Sequence, residues 1–505
     1  MHRSLVGGIV GAVTAVAQAP VSRVAIIGGG IAGLAAAHRL LARAPAGSLQ
    51  VTVLEASGRF GGWVRTETFA GRPVDFGPDS LLVRAPWAAE LCRELGIEDE
   101  LVAPGAGSAR LLVGGQLKLL PAGILAGLPG GPMPFVRSGL LGPLGLLRAG
   151  LDLVLPDRAP EGDESIGSLV RRRLGRQVLD RVIDPLLGGV HAGRCDDLSL
   201  AATAPQIAAA AKVDRSLLRG LRKTAPPAPP AGSKPSPVFM GPRGGMQRLS
   251  DALLATVKDA GADLQSGQRV TALQHGERGR VRVLLDGQAV EEATEYDAVV
   301  LAVPAPAAAA LLKPHAPHTV GALEDLTYAS VAQIALAYDP AKLTGIPEGT
   351  GFLVPRGEGT LMTACTFLDQ KWPERPRDQD APYADAAVIK CSTGRIDDRR
   401  FEAMGDDALV AAIHSELATV LGLPAGATPL ASRVHRVSGG LPQYAPGHLD
   451  RVAALEGELI SAFPRLVLAG AAYRGTSVPL CIRQGRDAAD VLHHRMLGTA
   501  GRVRV

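Results

Sequence analysis

Glycines, one carboxylate and an arginine stand in an order that suits the handling of a dinucleotide. Gly28-x-Gly30-x-x-Gly33 follows the apolar run "VAII" and opens the helix-forming run "AGLAAAHRLLA". The first glycine permits a tight turn, the second lets the backbone approach a pyrophosphate, and the third lets helix and strand pack closely. Ile31 and Ala32 lie at the helix start, where free N–H groups and the helix dipole favour phosphate. Glu55, with Ala56 beside it, ends the run "LQVTVLEA". A carboxylate there can accept hydrogen bonds from ribose hydroxyls. Arg59-x-Gly61-Gly62-Trp63 then extends the site, because glycines let backbone lie against a cofactor and an arginine fork suits a pyrophosphate. A glycine fingerprint alone can be a structural turn. Flanked by strand, helix and acid it points to nucleotide binding, without separating NAD from FAD.

These residues need a β-α-β unit over residues 24–57, and the periodicity supplies one. Similar pieces recur in the middle ("EYDAVVLAVP") and at the end ("RLVLAGAAYRG", then "SVPLCIRQGRDAADVL" with Pro479 in its first turn). The predicted class is therefore α/β: a Rossmann-type nucleotide domain built from 21–105, 238–305 and 445–495, interleaved with other units. Residues 106–224 read as a mainly helical insert over the substrate cavity, and 306–444 as a mixed-sheet substrate domain. The Pro-rich 225–237 reads as a surface loop.

Bulk properties exclude several classes. With 505 residues, 47% hydrophobic and 20% charged, the chain is of globular type, and its net charge of +4 gives no reason to expect nucleic acid. Five scattered cysteines without C-x-x-C spacing read as reduced thiols of a cytoplasmic protein, not as a disulfide framework or a metal site. Residues 1–20 have the outline of a secretory signal, but are expected to be an extension ahead of a fold that starts at Val21. The leucine-rich 135–156 suits either helices over a cavity or contact with a membrane surface; a soluble protein with peripheral contact is the expectation.

The stretch 59–66 resembles the second motif of FAD-dependent amine oxidases, carotenoid desaturases and porphyrinogen oxidases. Trp63 stands where most members have Arg, a departure shared by the porphyrinogen oxidase branch, as is the nearby Gly77-Pro78. The resemblance implies FAD. It also implies that Val270 lies on the strand whose backbone receives the adenine, and that Gly470 leads to a helix start, Ser477-Val478-Pro479, pointing at the flavin ring. "FGPDSLLVR", "ARLLVGGQLKLLP", "DPLLGGVHAGRCDDLSL", "EGTGFLVP", "LMTACTFLDQKWP" and "LPQYAPGHLDR" narrow the resemblance to porphyrinogen oxidases, most closely the bacterial coproporphyrinogen III branch, over 24 to about 495.

What that resemblance implies is a six-electron, oxygen-dependent oxidation with release of hydrogen peroxide, in heme biosynthesis, the product passing to the next enzyme. The flavin carries the hard step, so no catalytic side chain is assigned and no metal is expected. His191 reads as a pocket wall. Arg110 is expected to pair with a propionate, with Arg84 and Lys390 as further cations. Pro347 and Leu361 are expected to offer apolar contacts, and Gly189 and Gly193 close backbone approach. Lys390, inside "AAVIKCSTG", should face solvent or a ligand. Extra cations favour coproporphyrinogen, with four propionates, over protoporphyrinogen IX. Val437 replaces a Trp common among relatives. An NAD-dependent dehydrogenase, an amine oxidase or desaturase of the same fold, and a non-catalytic porphyrin carrier are the competing readings.

Overall fold

A computed structural model describes residues 21–500 apart from 106–107, 122–123, 126–127, 130–135, 156–161, 226–236 and 344. The expectations for 1–20, and nearly all of the Pro-rich 225–237, lie outside the described residues.

Five short strands form one sheet: β1 (Ser22–Ile27), β2 (Leu49–Glu55), β3 (Asp263–Ser266), β4 (Ala298–Leu301) and β5 (Leu466–Leu468), in the order β3-β2-β1-β4-β5. Every pairing is parallel. Parallel strands are covered on both faces, which is why their sequences run apolar without alternation. Val24, Ala25 and Ile26 are fully buried. Helices α1 (Ile31–Arg43) and α2 (Val478–Ala500) pack with the residues on one face. Leu273, Val281, Tyr296, Leu312 and Leu455 belong to the cluster on the other. Pieces from the start, middle and end of the chain thus share one sheet.

The helices α1 and α2 touch where Gly485 meets the Ala32 carbonyl; a Cβ at 485 would overlap that oxygen.

A second, seven-stranded sheet runs in the order 431–442, 328–338, 387–393, 362–367, 351–353, 109–113, 116–119. It is mixed: Gly351–Leu353 pairs parallel with Ala109–Val113, and its other neighbours pair antiparallel. One face buries Ile334, Ile389 and Phe367 with Leu409, Ile413 and Leu417 of helix Asp406–Leu421. The other buries Ala335, Ala337 and Val388 against Phe69, Val74 and Phe76, at the hairpin Thr66–Phe69/Arg72–Asp75 of the first unit.

The helical reading of 106–224 needs correction at its start. "ARLLV" and "QLKL" are strands joined by a Gly114-Gly115 turn, and they extend the second sheet. Their leucine content suggested helix; ladder partners more than 200 residues away decided otherwise. From Pro143 to Thr224 the described segments are helical, around a core of Leu169, Val182, Ile183 and Ile207. That segment includes a π-helical stretch, Leu179–Gly188, which contains Pro185. On helix Pro143–Gly150, Gly145 and Ala149 turn inward while Leu144 and Leu147 stay exposed.

Gly485→Ala forces α1 and α2 apart. Overpacking of this kind costs about 1–3 kcal/mol, so the urea midpoint should fall with the unfolding slope unchanged.

Candidate flavin and substrate site

The residues expected at a cofactor meet at the C-terminal edge of the parallel sheet. Gly28, in a left-handed conformation (φ 105°), donates to the Leu54 carbonyl at 2.8 Å. A Cβ on Gly28 would overlap the Ala302 oxygen, and one on Gly33 the Gly28 oxygen. Above Gly30 there is space, since its nearest neighbour, the Gly62 Cα, lies 4.0 Å from a Cβ built there. Gly30 opens α1, so the N–H groups of Ile31 and Ala32 start the helix beside that space. Tight packing below and room above is what a pyrophosphate requires.

The other pieces converge on this turn. Gly61 N–H donates to the Gly29 oxygen at 2.9 Å, bringing Gly61 and Gly62 alongside Gly30. Glu55 accepts from Gly29 N–H through Oε2 and from Ser57 N–H through Oε1, both at 2.8 Å. Its backbone oxygen accepts from Gln268 N–H, so the strand beginning at Val270 starts beside Glu55 and exposed Ala56. Gly77, followed by Pro78, packs against the Trp63 carbonyl, and the Trp63 side chain is half exposed. Gly470 lies beside Ala32, and Ser477, Val478 and Pro479 form the start of α2. Arg59 differs from its expected use. Its two terminal nitrogens donate to Gly62 and Val64 oxygens at 2.6 and 3.0 Å, so its fork shapes the glycine turn.

Residues 31–493 match the family of flavin-containing amine oxidoreductases. The chain belongs to that family. It is 33% identical to the coproporphyrinogen III oxidase of Bacillus subtilis, covering 92% of this chain and 96% of that one. It is 32% identical to the protoporphyrinogen oxidase of Bos taurus, covering 94% and 98%. A crystal structure of a protein from Exiguobacterium sp. 255-15, provisionally named protoporphyrinogen oxidase, superposes with a TM-score of 0.80 at 30% identity, covering 94% of this chain and 99% of that one. The cofactor of this flavin family member is FAD, and the glycine cradle and Glu55 fit it.

The residues expected at a substrate separate into groups. Arg110 and Pro347 come together: Arg110 Nη2 lies 3.4 Å from the Glu348 oxygen, and its buried Nε has no partner. Gln370 fixes that turn, accepting from Gly349 N–H at 2.9 Å and donating to the Pro347 oxygen at 3.4 Å. Gly189 is exposed just after the π-helical stretch. Gly193 is buried, its oxygen accepting from Arg356, which also pairs with Asp184 and Asp397. His191 Nδ1 is buried without a partner, and burial pushes the imidazole down to about 4. Arg84 is exposed in the turn before helix Pro86–Glu94.

Two expected contacts sit elsewhere. Leu361 lies in the core beneath the second sheet, its N–H on Glu416 and its oxygen accepting from Thr393. Lys390 does not face solvent: it is 5% exposed, donates to the Asp75 oxygen at 2.8 Å and lies 3.6 Å from Asp79. Lys371 holds the same Asp79 at 2.8 Å. Burial pushes the Asp79 carboxyl up, but Lys371 and Lys390 outweigh it and hold it well below the usual carboxylate range. Burial lowers Lys390, against the pull of Asp79 and Asp75. The sequence reading missed Asp79, Lys371, Gln443 and Tyr444. The available signal was their position: Asp79 follows Gly77-Pro78, Lys371 lies in "LMTACTFLDQKWP", and Gln443 and Tyr444 lie in "LPQYAPGHLDR".

Asp79→Asn leaves buried Lys390 and half-buried Lys371 facing a neutral amide, and losing one partner of a buried pair costs about 3–5 kcal/mol. A depressed carboxylate stabilises fully above its unfolded pKa and is lost as pH falls through the folded one. The gap to wild type should therefore persist from pH 7 downward and narrow only below about pH 4. Urea midpoints across that range check it; a gap that closes between pH 7 and 5 would contradict the assignment.

Proposed function

We propose that this protein is an oxygen-dependent, FAD-containing coproporphyrinogen III oxidase of heme biosynthesis, making coproporphyrin III and hydrogen peroxide. The observation that carries this is the likeness to the Bacillus subtilis coproporphyrinogen III oxidase along nearly all of both chains. When bound, FAD supplies the electron acceptor for the substrate and the site that reacts with oxygen. The chain's own residues bind and orient. Gly28, Gly30, Gly33, Gly61 and Gly62 bring backbone close to the cofactor, and Glu55 offers its carboxylate to the ribose.

Arg110 is the propionate anchor in this reading. Its Nε–H is buried without a partner, and its Nη2–H makes only a long bond to the Glu348 oxygen. A carboxylate would satisfy both in the forked geometry that suits arginine. Pro347 lies in the turn beside it, and Gly189, His191 and Gly193 supply the other wall in this reading. His191, held neutral by burial, offers a wall that costs no charge. Lys390, being held by Asp79, gives no support to the preference for four propionates, which rests on Arg110 and exposed Arg84. Protoporphyrinogen IX is therefore the second reading, favoured by the bovine relative.

Among the described residues no helix is long and apolar enough to cross a membrane. All five cysteines are buried and free, in keeping with a cytoplasmic protein. Exposed Leu144 and Leu147 support peripheral contact with a membrane surface during hand-over of the porphyrin.

Porphyrinogens are dark and porphyrins fluoresce, so turnover is read directly in air. The expected outcome is oxidation of coproporphyrinogen III at a higher kcat/KM than protoporphyrinogen IX, with peroxide formed. Preference for protoporphyrinogen IX would select the second reading, and no turnover of either by flavin-loaded protein would reject both. Arg110→Ala should raise KM for coproporphyrinogen about tenfold or more, the worth of a charge-assisted bond, with kcat little changed. An unchanged KM would remove Arg110 from the substrate.

A further inference from the structure

The segment Leu441–His448 runs between two parts of the molecule that share no secondary-structure element. On one side lies the loop joining β5 to α2, residues 470–477, assigned above to the flavin. On the other lies the loop 188–193, assigned above to the substrate. Neighbouring residues of the segment turn to opposite sides. Gln443 Nε2 donates to the His191 oxygen at 2.7 Å and to the Leu441 oxygen at 2.9 Å. Its Oε1 fills the space a side chain at Gly193 would need. Tyr444, 1% exposed, donates through its hydroxyl to the Ala471 oxygen at 2.5 Å and accepts from Gly475 N–H at 3.1 Å.

The rest of the segment fixes these two in place. Gln443 N–H donates to the Thr327 oxygen at 2.9 Å, and Ser199 N–H donates to the Tyr444 oxygen at 2.6 Å. Asp163 accepts from Gly447 N–H, from the Ser199 hydroxyl and from Ala201 N–H, tying the segment to the helical part. His448, 2% exposed, stacks on Tyr444 with ring centroids 4.1 Å apart, and its Nε2 bonds the Tyr473 oxygen at 2.8 Å. The flavin-side loop is also held by Gln484, which accepts from Arg474 N–H and donates to the Gly475 oxygen, and by the Arg474–Glu456 ion pair.

We infer that Gln443 and Tyr444 are a pair of positioning residues, Gln443 setting the substrate loop and Tyr444 the flavin loop, so that one rigid segment fixes the distance between the two reactants. Neither acts as an acid or base. Gln443 has no titratable group, and burial holds the Tyr444 hydroxyl protonated, well above its ordinary pKa. Their function is geometric: small misplacements of reacting atoms cost large factors in rate. The loop roles rest on the reading of the two sites given above.

The test is a crossed pair of measurements on the full-length protein. Tyr444→Phe removes only the hydroxyl, leaving Ala471 and Gly475 without their shared partner. It should weaken FAD binding about tenfold, measured by fluorescence titration of the apoprotein, shift the visible spectrum of bound flavin, and leave KM for coproporphyrinogen within about twofold. Gln443→Leu should do the reverse, raising KM about tenfold with FAD affinity and spectrum unchanged. Gln443→Glu keeps the size but not the donor and should match Gln443→Leu. If either variant moves both quantities, or neither moves its own, the assignment is overturned. Wild-type protein that binds FAD but turns over no porphyrinogen would instead count against the proposed activity, and the FAD arm would still judge Tyr444.

Discussion

One carboxylate, Asp79, ties the parallel-sheet unit to the unit of the second sheet. Asp79 follows directly on Gly77-Pro78, and it lies between Lys371 and Lys390 of the second unit. Beside it, fully buried Asp75 pairs with Arg375, and its oxygen receives Lys390. Arg72 pairs with Asp369 and donates to the Ala384 and Ala386 oxygens. Stripping water from so many charges is expensive, and a partly satisfied network is worse than an apolar contact. The cost is offset only when all partners arrive together. The interface is therefore selective: a shift of either unit by one residue would leave several charges buried and unpaired.

That selectivity suits a chain whose units are interleaved. The parallel sheet uses strands from 22–27, 49–55, 263–266, 298–301 and 466–468, and the second sheet draws strands from 109–119 and 328–442. Neither sheet can complete itself before distant segments return. Apolar burial drives their assembly but says little about registration. The hairpin 66–75 carries both the apolar Phe69 and Val74 and the charged Arg72 and Asp75, so the contact that supplies burial also supplies the address.

What was legible in the sequence was local. The glycine fingerprint, Glu55 and the flanking strand and helix lie within one β-α-β unit, and each residue's requirement is met by neighbours in that unit. Gly61-Gly62 was read from the close backbone approach glycine allows and Gly470 through a resemblance, and the fold brings them beside Gly30 and Ala32. Lys390 was misread because its neighbours in sequence show only a lysine among small apolar residues, while its partners lie more than 300 residues away. Arg59 was misread at short range: a guanidinium that suits pyrophosphate equally suits two backbone oxygens of its own turn. The strands of 109–119 and the long strand Ala431–Pro442 owe their state to ladder partners, which propensity does not encode.

The polar groups near the two sites are aimed mostly at backbone, and this fits a reaction whose difficult step belongs to the cofactor. Arg59 holds a glycine turn, Gln370 holds the Pro347 turn, Arg356 holds the Gly193 oxygen, and Gln443 and Tyr444 hold one loop each. Against that pattern, the buried Nε of Arg110 and the buried Nδ1 of His191 are left without partners. A large flexible ring with carboxylate arms needs few directional anchors and a wall whose shape does not fluctuate. In the proposed reading, walls fixed through backbone bonds and one forked cation offered to a carboxylate meet both needs.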